Sequence, residues 1–173
     1  YVSALNNAKI QVLDTRKTSP LFRHLEKEAV LAGGGFNHRQ SLSDMVLLKE
    51  NHLSAICDSG GNDALNQFFD HIHNNHPGTL IEIEIETLDQ LKGFPLEKVD
   101  IIMLDNMTIE TIKQGIQICK DRQLKAKIEL SGNIELDSIS KYSTLNIDRI
   151  SIGRLTHSVK AIDFSLRLSP LSL

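Results

Sequence analysis

The sequence predicts an α/β protein whose parallel strands curl into a barrel. Short aliphatic or β-branched runs alternate with longer amphipathic stretches, the pattern of repeated strand–helix units. Nearly every run ends in a polar, charged or glycine residue, and parallel folds place their sites at those strand ends. Neither GxGxxG nor GxxxxGKS/T, the phosphate loops of open doubly wound sheets, occurs, so the barrel is preferred.

Seven strands are expected: Lys9 to Asp14, Met45 to Lys49, Leu80 to Glu86, Ile101 to Asp105, Ala126 to Leu130, Arg149 to Ile152 and Phe164 to Leu168. The first helix follows the Ser19-Pro20 cap, carries a stripe of Leu21, Leu25, Ala29 and Ala32, and stops at Gly33-Gly34-Gly35. A second spans Asn62 to His73, with Leu65, Phe68, Phe69 and Ile72 on one face. Thr108 caps a third bearing Ile109, Ile112 and Ile116, and Glu135 to Ser143 forms a fourth with Leu136, Ile139 and Tyr142. Each helix is expected to cover a parallel strand pair. The outer helix before the first strand is represented only by the tail Tyr1 to Asn6, so a start inside a larger protein is expected.

Of 173 residues, 40% are hydrophobic and 24% charged, enough to bury a core in one globular domain. No apolar run is long enough to span a bilayer and Tyr1 to Ile10 lacks a signal-peptide layout, so no membrane and a cytoplasmic home are expected. The net charge is −3, with six phenylalanines, two tyrosines and no tryptophan, which argues against a nucleic-acid surface. Cys57 and Cys119 fit no zinc or CxxC spacing and read as free thiols. His71, His73 and His76 look superficially like metal ligands, but residues two apart on a helix do not face one another. His24 and His52 read as helix-surface and loop residues.

At the strand ends, Arg16 and Lys17 follow the first strand, Lys49 the second, Glu84 lies near the end of the third and Asp105 closes the fourth. Ser131-Gly132 and Gly153 follow the fifth and sixth. The strict alternation Ile81-Glu82-Ile83-Glu84-Ile85-Glu86 puts three carboxylates on one strand face. Parallel strands are covered on both faces, so that row must meet something polar. Glu84 is favoured over Glu82 for lying nearer the strand end, and Glu86 is read as loop. Asp105-Asn106 also fits a plain turn. The glycine loops could hold a terminal phosphate through their backbone N–H groups and the helix ends that follow. Arginine forks suit carboxylates and lysine suits phosphate, so Arg16, Lys17, Arg39 and Lys49 imply two kinds of anion. Arg23, Lys27 and Lys92 read as solvated charge.

These residues carry a family pattern. Asp14 to Pro20 (DTRKTSP), Leu25 to Arg39 (LEKEAVLAGGGFNHR), Asp44 to His52 (DMVLLKENH), Glu82 to Thr87, Ile101 to Met107, Ile128 to Gly132 and Ser151 to Ser158 closely resemble quinolinate phosphoribosyltransferases. The resemblance runs in order along nearly the whole chain. It implies an open (β/α) barrel of the type II phosphoribosyltransferase kind over residues 1–173, a separate N-terminal domain outside this sequence, a homodimer or higher homo-oligomer with a site shared between subunits, and Mg2+. It also implies the making of nicotinate mononucleotide, CO2 and pyrophosphate from quinolinate and phosphoribosyl pyrophosphate in NAD biosynthesis.

Carried over by motif, Arg16, His38, Arg39 and Lys49 hold the quinolinate carboxylates, and Lys17, Lys49 and His157 lie near the pyrophosphate. Glu84 and Asp105 meet the ribose hydroxyls and Mg2+, directly or indirectly, while Ser131, Gly132 and Gly153 take the 5′-phosphate. Lys17, Lys49, Glu84 and Asp105 are the expected catalytic set. Leu21 stands where the family usually has glycine, Asn133 replaces a glycine and is expected to tolerate positive φ, and Arg154 either reaches the phosphate or points outward. A paralogue associated with molybdenum transport and a non-catalytic phosphoribosyl-binding module are the alternatives; the intact Arg16, His38 and Arg39 favour quinolinate.

Overall fold

The computed structural model describes residues 1–169. In chain order it contains α1 (Val2–Leu5), β1 (Gln11–Leu13), α2 (Arg23–Ala32), β2 (Val46–Leu48), α3 (Glu50–Asn75), β3 (Ile81–Ile85), α4 (Leu88–Gly93), β4 (Ile101–Asp105), α5 (Ile109–Asp121), β5 (Lys127–Ser131) and β6 (Arg149–Ser151). All strand pairs are parallel, in the order β1-β6-β5-β4-β3-β2. This is the expected open curl: β1 and β2 are its two edges and do not pair with each other.

Strand alternation sorts the residues onto two sides. Ile81, Ile83, Ile85, Ile102, Leu104, Ile128, Leu130, Ile150 and Ile152 join one apolar cluster with Leu65, Phe69, Leu91 and Ile112 from the helices. The residues between them, Glu82, Glu84, Glu129, Arg149 and Ser151, are buried and polar. Register aligns Glu84 with Met103, Met103 with Glu129 and Glu129 with Arg149 across four strands. The inner side of the curl therefore carries charge, and the outer side packs the helices.

Thr108 caps α5 as expected, its Oγ1 accepting from Thr111 N at 3.2 Å. α3 is longer than the expected Asn62 to His73: it begins at Glu50 and bends at Gly60 and Gly61. Gly61 sits at φ 61, a conformation open to glycine. His52 lies in α3, not a loop, and its Nδ1 accepts from Lys49 N at 3.1 Å. The segment around Glu135 to Ser143 is a 3-10 helix over Leu136–Tyr142 rather than an α-helix.

Two further expectations fail. The stripe Leu21, Leu25, Ala29 and Ala32 faces outward, with Leu25 57% exposed, while Lys27 and Val30 are the buried residues of α2. α2 connects the two unpaired edge strands, so no parallel pair lies beneath it to cover. Phe164 to Leu168 forms no strand; Phe164, Leu166 and Leu168 are exposed. Alternation supplies a strand face, but a strand also needs a partner ladder, and none of the described residues provides one. Leu21 adopts φ 68, a conformation that glycine takes most readily, and is fully exposed. Cys57 and Cys119 are free thiols, and among the described residues no helix is long and apolar enough to cross a membrane.

Candidate active site

The strand ends converge on one mouth with two connected lobes. The larger, about 470 Å3, is lined by Lys17, Glu84, Asp105, Gly132, Gly153 and His157, with Lys49 at its side. The smaller, about 260 Å3, holds Arg16, His38 and Arg39 against Leu47 and Met103. Lys17, Lys49, Glu84 and Ser131 border both. All eleven residues singled out from the sequence therefore share this mouth.

Local bonds set the larger lobe. Thr156, buried, donates its Oγ1 proton to Lys17 O at 2.8 Å and ties the loop after β6 to the loop after β1. That brings Lys17 beside Gly153 and His157; a Cβ on Gly153 would lie 2.5 Å from His157 Nε2 and 3.6 Å from Lys17 Cδ. Gly132 has φ 96, and a Cβ there would collide with the Asn106 side chain. Asn133 takes positive φ (44°) as expected, and its Nδ2 donates to Asn106 Oδ1 at 3.2 Å. Short 3-10 turns, not α-helices, follow both loops, so an anion here would rest on loop N–H groups and side chains rather than on the expected helix ends. Arg154 borders this lobe but pairs with Glu135 at 3.0 Å.

Lys49 and Glu84 form an ion pair between the lobes. Burial pushes the Glu84 carboxyl up from its ordinary range, Lys49 pulls it down and Asp105 raises it again. Two carboxylates facing one lobe create a local demand for cations.

In the smaller lobe, Arg39 Nη1 donates to Met45 O at 3.0 Å. Burial lowers the Arg39 pKa, and the neighbouring Arg16 guanidinium lowers it further. Arg16 Nε is buried without a hydrogen-bond partner. Two guanidiniums this close, one with an idle donor, form a site for an anion.

Lys27 is not solvated as the sequence suggested. It is 1% exposed and pairs with Asp14, which is fully buried. Lys27 Nζ also donates to His38 O at 3.0 Å, Asp14 Oδ1 accepts from His38 N at 2.8 Å, and the Asn37 amide donates to Asp14 Oδ2 at 2.6 Å. This clasp fixes the backbone of the segment that carries His38 and Arg39. The apolar spacing of α2 gave no warning of it.

His38 borders the smaller lobe, and its Nε2 edge turns to two buried carboxylates. Its Nε2 lies 3.1 Å from Glu82 and 3.5 Å from Glu129, and Arg149 Nε is 2.8 Å from the far oxygen of Glu129. Burial lowers the His38 pKa, but hydrogen bonds to Glu129 and Glu82 outweigh it and raise it to about 9. Glu82 is raised as well, chiefly by burial. The cluster thus keeps one proton more than a neutral ring and two carboxylates would carry, and with Arg149 that proton makes it electrically neutral.

Because the folded-state pKa near 9 exceeds the unfolded value of 6.5, this stabilisation is complete below pH 6.5 and is lost as pH rises through 9. The melting temperature should therefore fall between those values, and His38→Gln should flatten the decline. An equal decline in both proteins would contradict the assignment.

The chain matches the family model "Quinolinate phosphoribosyl transferase, C-terminal domain" over residues 1–167. It is 40% identical over 164 residues to a probable nicotinate-nucleotide pyrophosphorylase (carboxylating) of Methanocaldococcus jannaschii, covering 92% of this chain and 56% of that protein. A quinolinate phosphoribosyltransferase (decarboxylating) of Nicotiana glauca is 36% identical over 173 residues, covering 91% and 48%. Among solved structures, NadC from Streptococcus pyogenes superposes with a TM-score of 0.82 at 43% identity, over 96% of this chain and 56% of that one. The chain spans about half the length of the curated relatives it matches.

Proposed function

The chain belongs to the quinolinate phosphoribosyltransferase family, whose C-terminal domain it matches, and on that premise we propose that its mouth joins quinolinate to phosphoribosyl pyrophosphate with loss of CO2. The observation that carries this reading is the pair Arg16 and Arg39 in one lobe, with Arg16 Nε idle and apolar Leu47 and Met103 alongside. That combination suits a flat aromatic ring bearing two carboxylates.

The adjoining lobe suits the second substrate. Gly132 and Gly153 let their loops pack closely against Asn106 and His157 at the edge of the lobe, where backbone N–H groups suit a 5′-phosphate, and the carboxylates of Glu84 and Asp105 suit ribose hydroxyls. Lys17 and His157 lie where pyrophosphate would sit, and Lys49 borders both lobes. Glu84 and Asp105 offer hard oxygen donors, a set that fits Mg2+. When bound, that ion would neutralise pyrophosphate charge.

In the reaction the bond from ribose C1 to the pyrophosphate oxygen breaks and the electron pair leaves with pyrophosphate. Lys17 and Lys49 stabilise that developing charge, while Glu84 and Asp105 supply the opposite field below the sugar. The quinolinate nitrogen, aligned by Arg16 and Arg39, forms the new bond to C1. Holding both reactants in line can lower the barrier by roughly 7–11 kcal/mol. The carbon–carbon bond to the 2-carboxylate then breaks, CO2 departs, and the pair left on the ring, stabilised by the quaternised nitrogen, takes a proton. No side-chain nucleophile is needed. The working form proposed is a cytoplasmic homodimer, and the test is turnover of quinolinate by the native chain that carries this segment, with nicotinate as the comparison.

A further inference from the structure

We propose that Glu82 and Glu129 are positioning residues for the arginine clamp: they cradle the His38 ring, and that ring anchors the backbone of Arg39. The inference rests on the reading that Arg39 holds a substrate carboxylate. Glu82 on β3 and Glu129 on β5, with β4 between them, are both fully buried, and neither lines the two lobes where substrates would lie.

The geometry runs from carboxylate to clamp through two contacts. Glu82 meets His38 Nε2, with Oε2 at 3.1 Å and Oε1 at 3.4 Å, and Glu129 Oε1 stands 3.5 Å away. On the other side of the ring, His38 Nδ1 accepts the backbone N–H of Arg39 at 2.8 Å. A backbone amide can only donate, so Nδ1 carries no proton in this arrangement: Nε2 carries one, and the additional proton of the cluster rests on the Glu82 carboxyl, which burial favours in its neutral form. The Nε2–H then requires an acceptor, which Glu82 supplies, while Glu129 adds its charge at 3.5 Å.

The same argument decides against a metal. His38, Glu82 and Glu129 offer three ligand atoms within 4.8 Å of one another, but a metal would need the Nε2 lone pair and would force a proton onto Nδ1, against the Arg39 amide. Arg149 also occupies the neighbourhood of Glu129, with Nε 2.8 Å from Oε2. Its charge opposes a cation there. Lys27 and Asp14 grip the His38 main chain, so the carboxylates govern the ring alone and with it the Arg39 amide.

The test uses the native chain that carries these residues. Glu82→Met removes the acceptor, whereas Glu82→Gln keeps an oxygen in place. The Met variant should raise the quinolinate KM by about tenfold or more with the phosphoribosyl pyrophosphate KM within about twofold, and the Gln variant should recover most of the loss. Hydrogen exchange at the Arg39 amide should quicken in Glu82→Met and not in Glu82→Gln. If Glu82→Met fails to fold, the paired change Glu129→Met with Arg149→Met removes opposite charges together and carries the same expectations.

An unchanged quinolinate KM, equal increases for both substrates, or an Arg39 amide that exchanges as in the parent protein would overturn the proposal. A parent protein that does not turn over quinolinate would defeat the functional reading instead, and amide exchange would then decide the positioning role alone.

Discussion

Replacing Lys49 with alanine lowers kcat by about 10²–10³, the scale on which a pre-positioned electrostatic partner acts. Lys49 borders both lobes, as Lys17 does, and it alone of the two pairs with buried Glu84. Removing it takes positive charge from the point where pyrophosphate leaves and frees the Glu84 carboxylate to repel that same pyrophosphate. Both effects raise the barrier. The comparison is Lys92→Ala, since the Lys92 side chain is exposed and pairs with exposed Asp89. Steady-state kinetics with both substrates would measure the difference, and comparable losses in the two variants would remove Lys49 from the site.

The largest effect on stability belongs to Lys27. Lys27→Met should cost about 3–5 kcal/mol, because it leaves the Asp14 charge buried without its cation. For a chain of this length that corresponds to a Tm drop on the order of 10 °C. The paired change Lys27→Met with Asp14→Asn should recover part of it, since no uncompensated charge remains. Lys92→Met should move stability by less than about 0.5 kcal/mol. If Lys27→Met melts with the parent, the buried clasp around His38 does not contribute as described.

Much of this was legible in the residues. The strand runs are found within a few positions of their expected bounds because period and β-branching coincide there, as in Ile101 to Asp105. The eleven site residues meet because parallel strands of one curl must end on one side. The reading failed where partners decide the outcome. Phe164 to Leu168 alternates like a strand but has no ladder among the described residues, and the apolar stripe of α2 is exposed because β1 and β2 do not pair.

Burial of charge was the other blind spot. Lys27 reads as solvated charge in the linear sequence, and nothing there singles out Glu129 or Arg149; the pairing with Asp14 buries the first, and the register that aligns Glu129 with Arg149 places the other two inside. One signal was present for Glu82. It shares the face of Glu84 in a strand covered on both sides, so it had to meet polar groups; the sequence could not say that His38 would be one of them.

The most direct measurement is product formation by the native chain that carries this segment, given quinolinate, phosphoribosyl pyrophosphate and Mg2+, with CO2 and nicotinate mononucleotide quantified together. The expected result is equal amounts of the two from quinolinate and none from nicotinate, as a clamp built for two carboxylates requires. Nucleotide formed from nicotinate without CO2, or no product from either substrate, would contradict the assignment of this mouth to decarboxylating phosphoribosyl transfer.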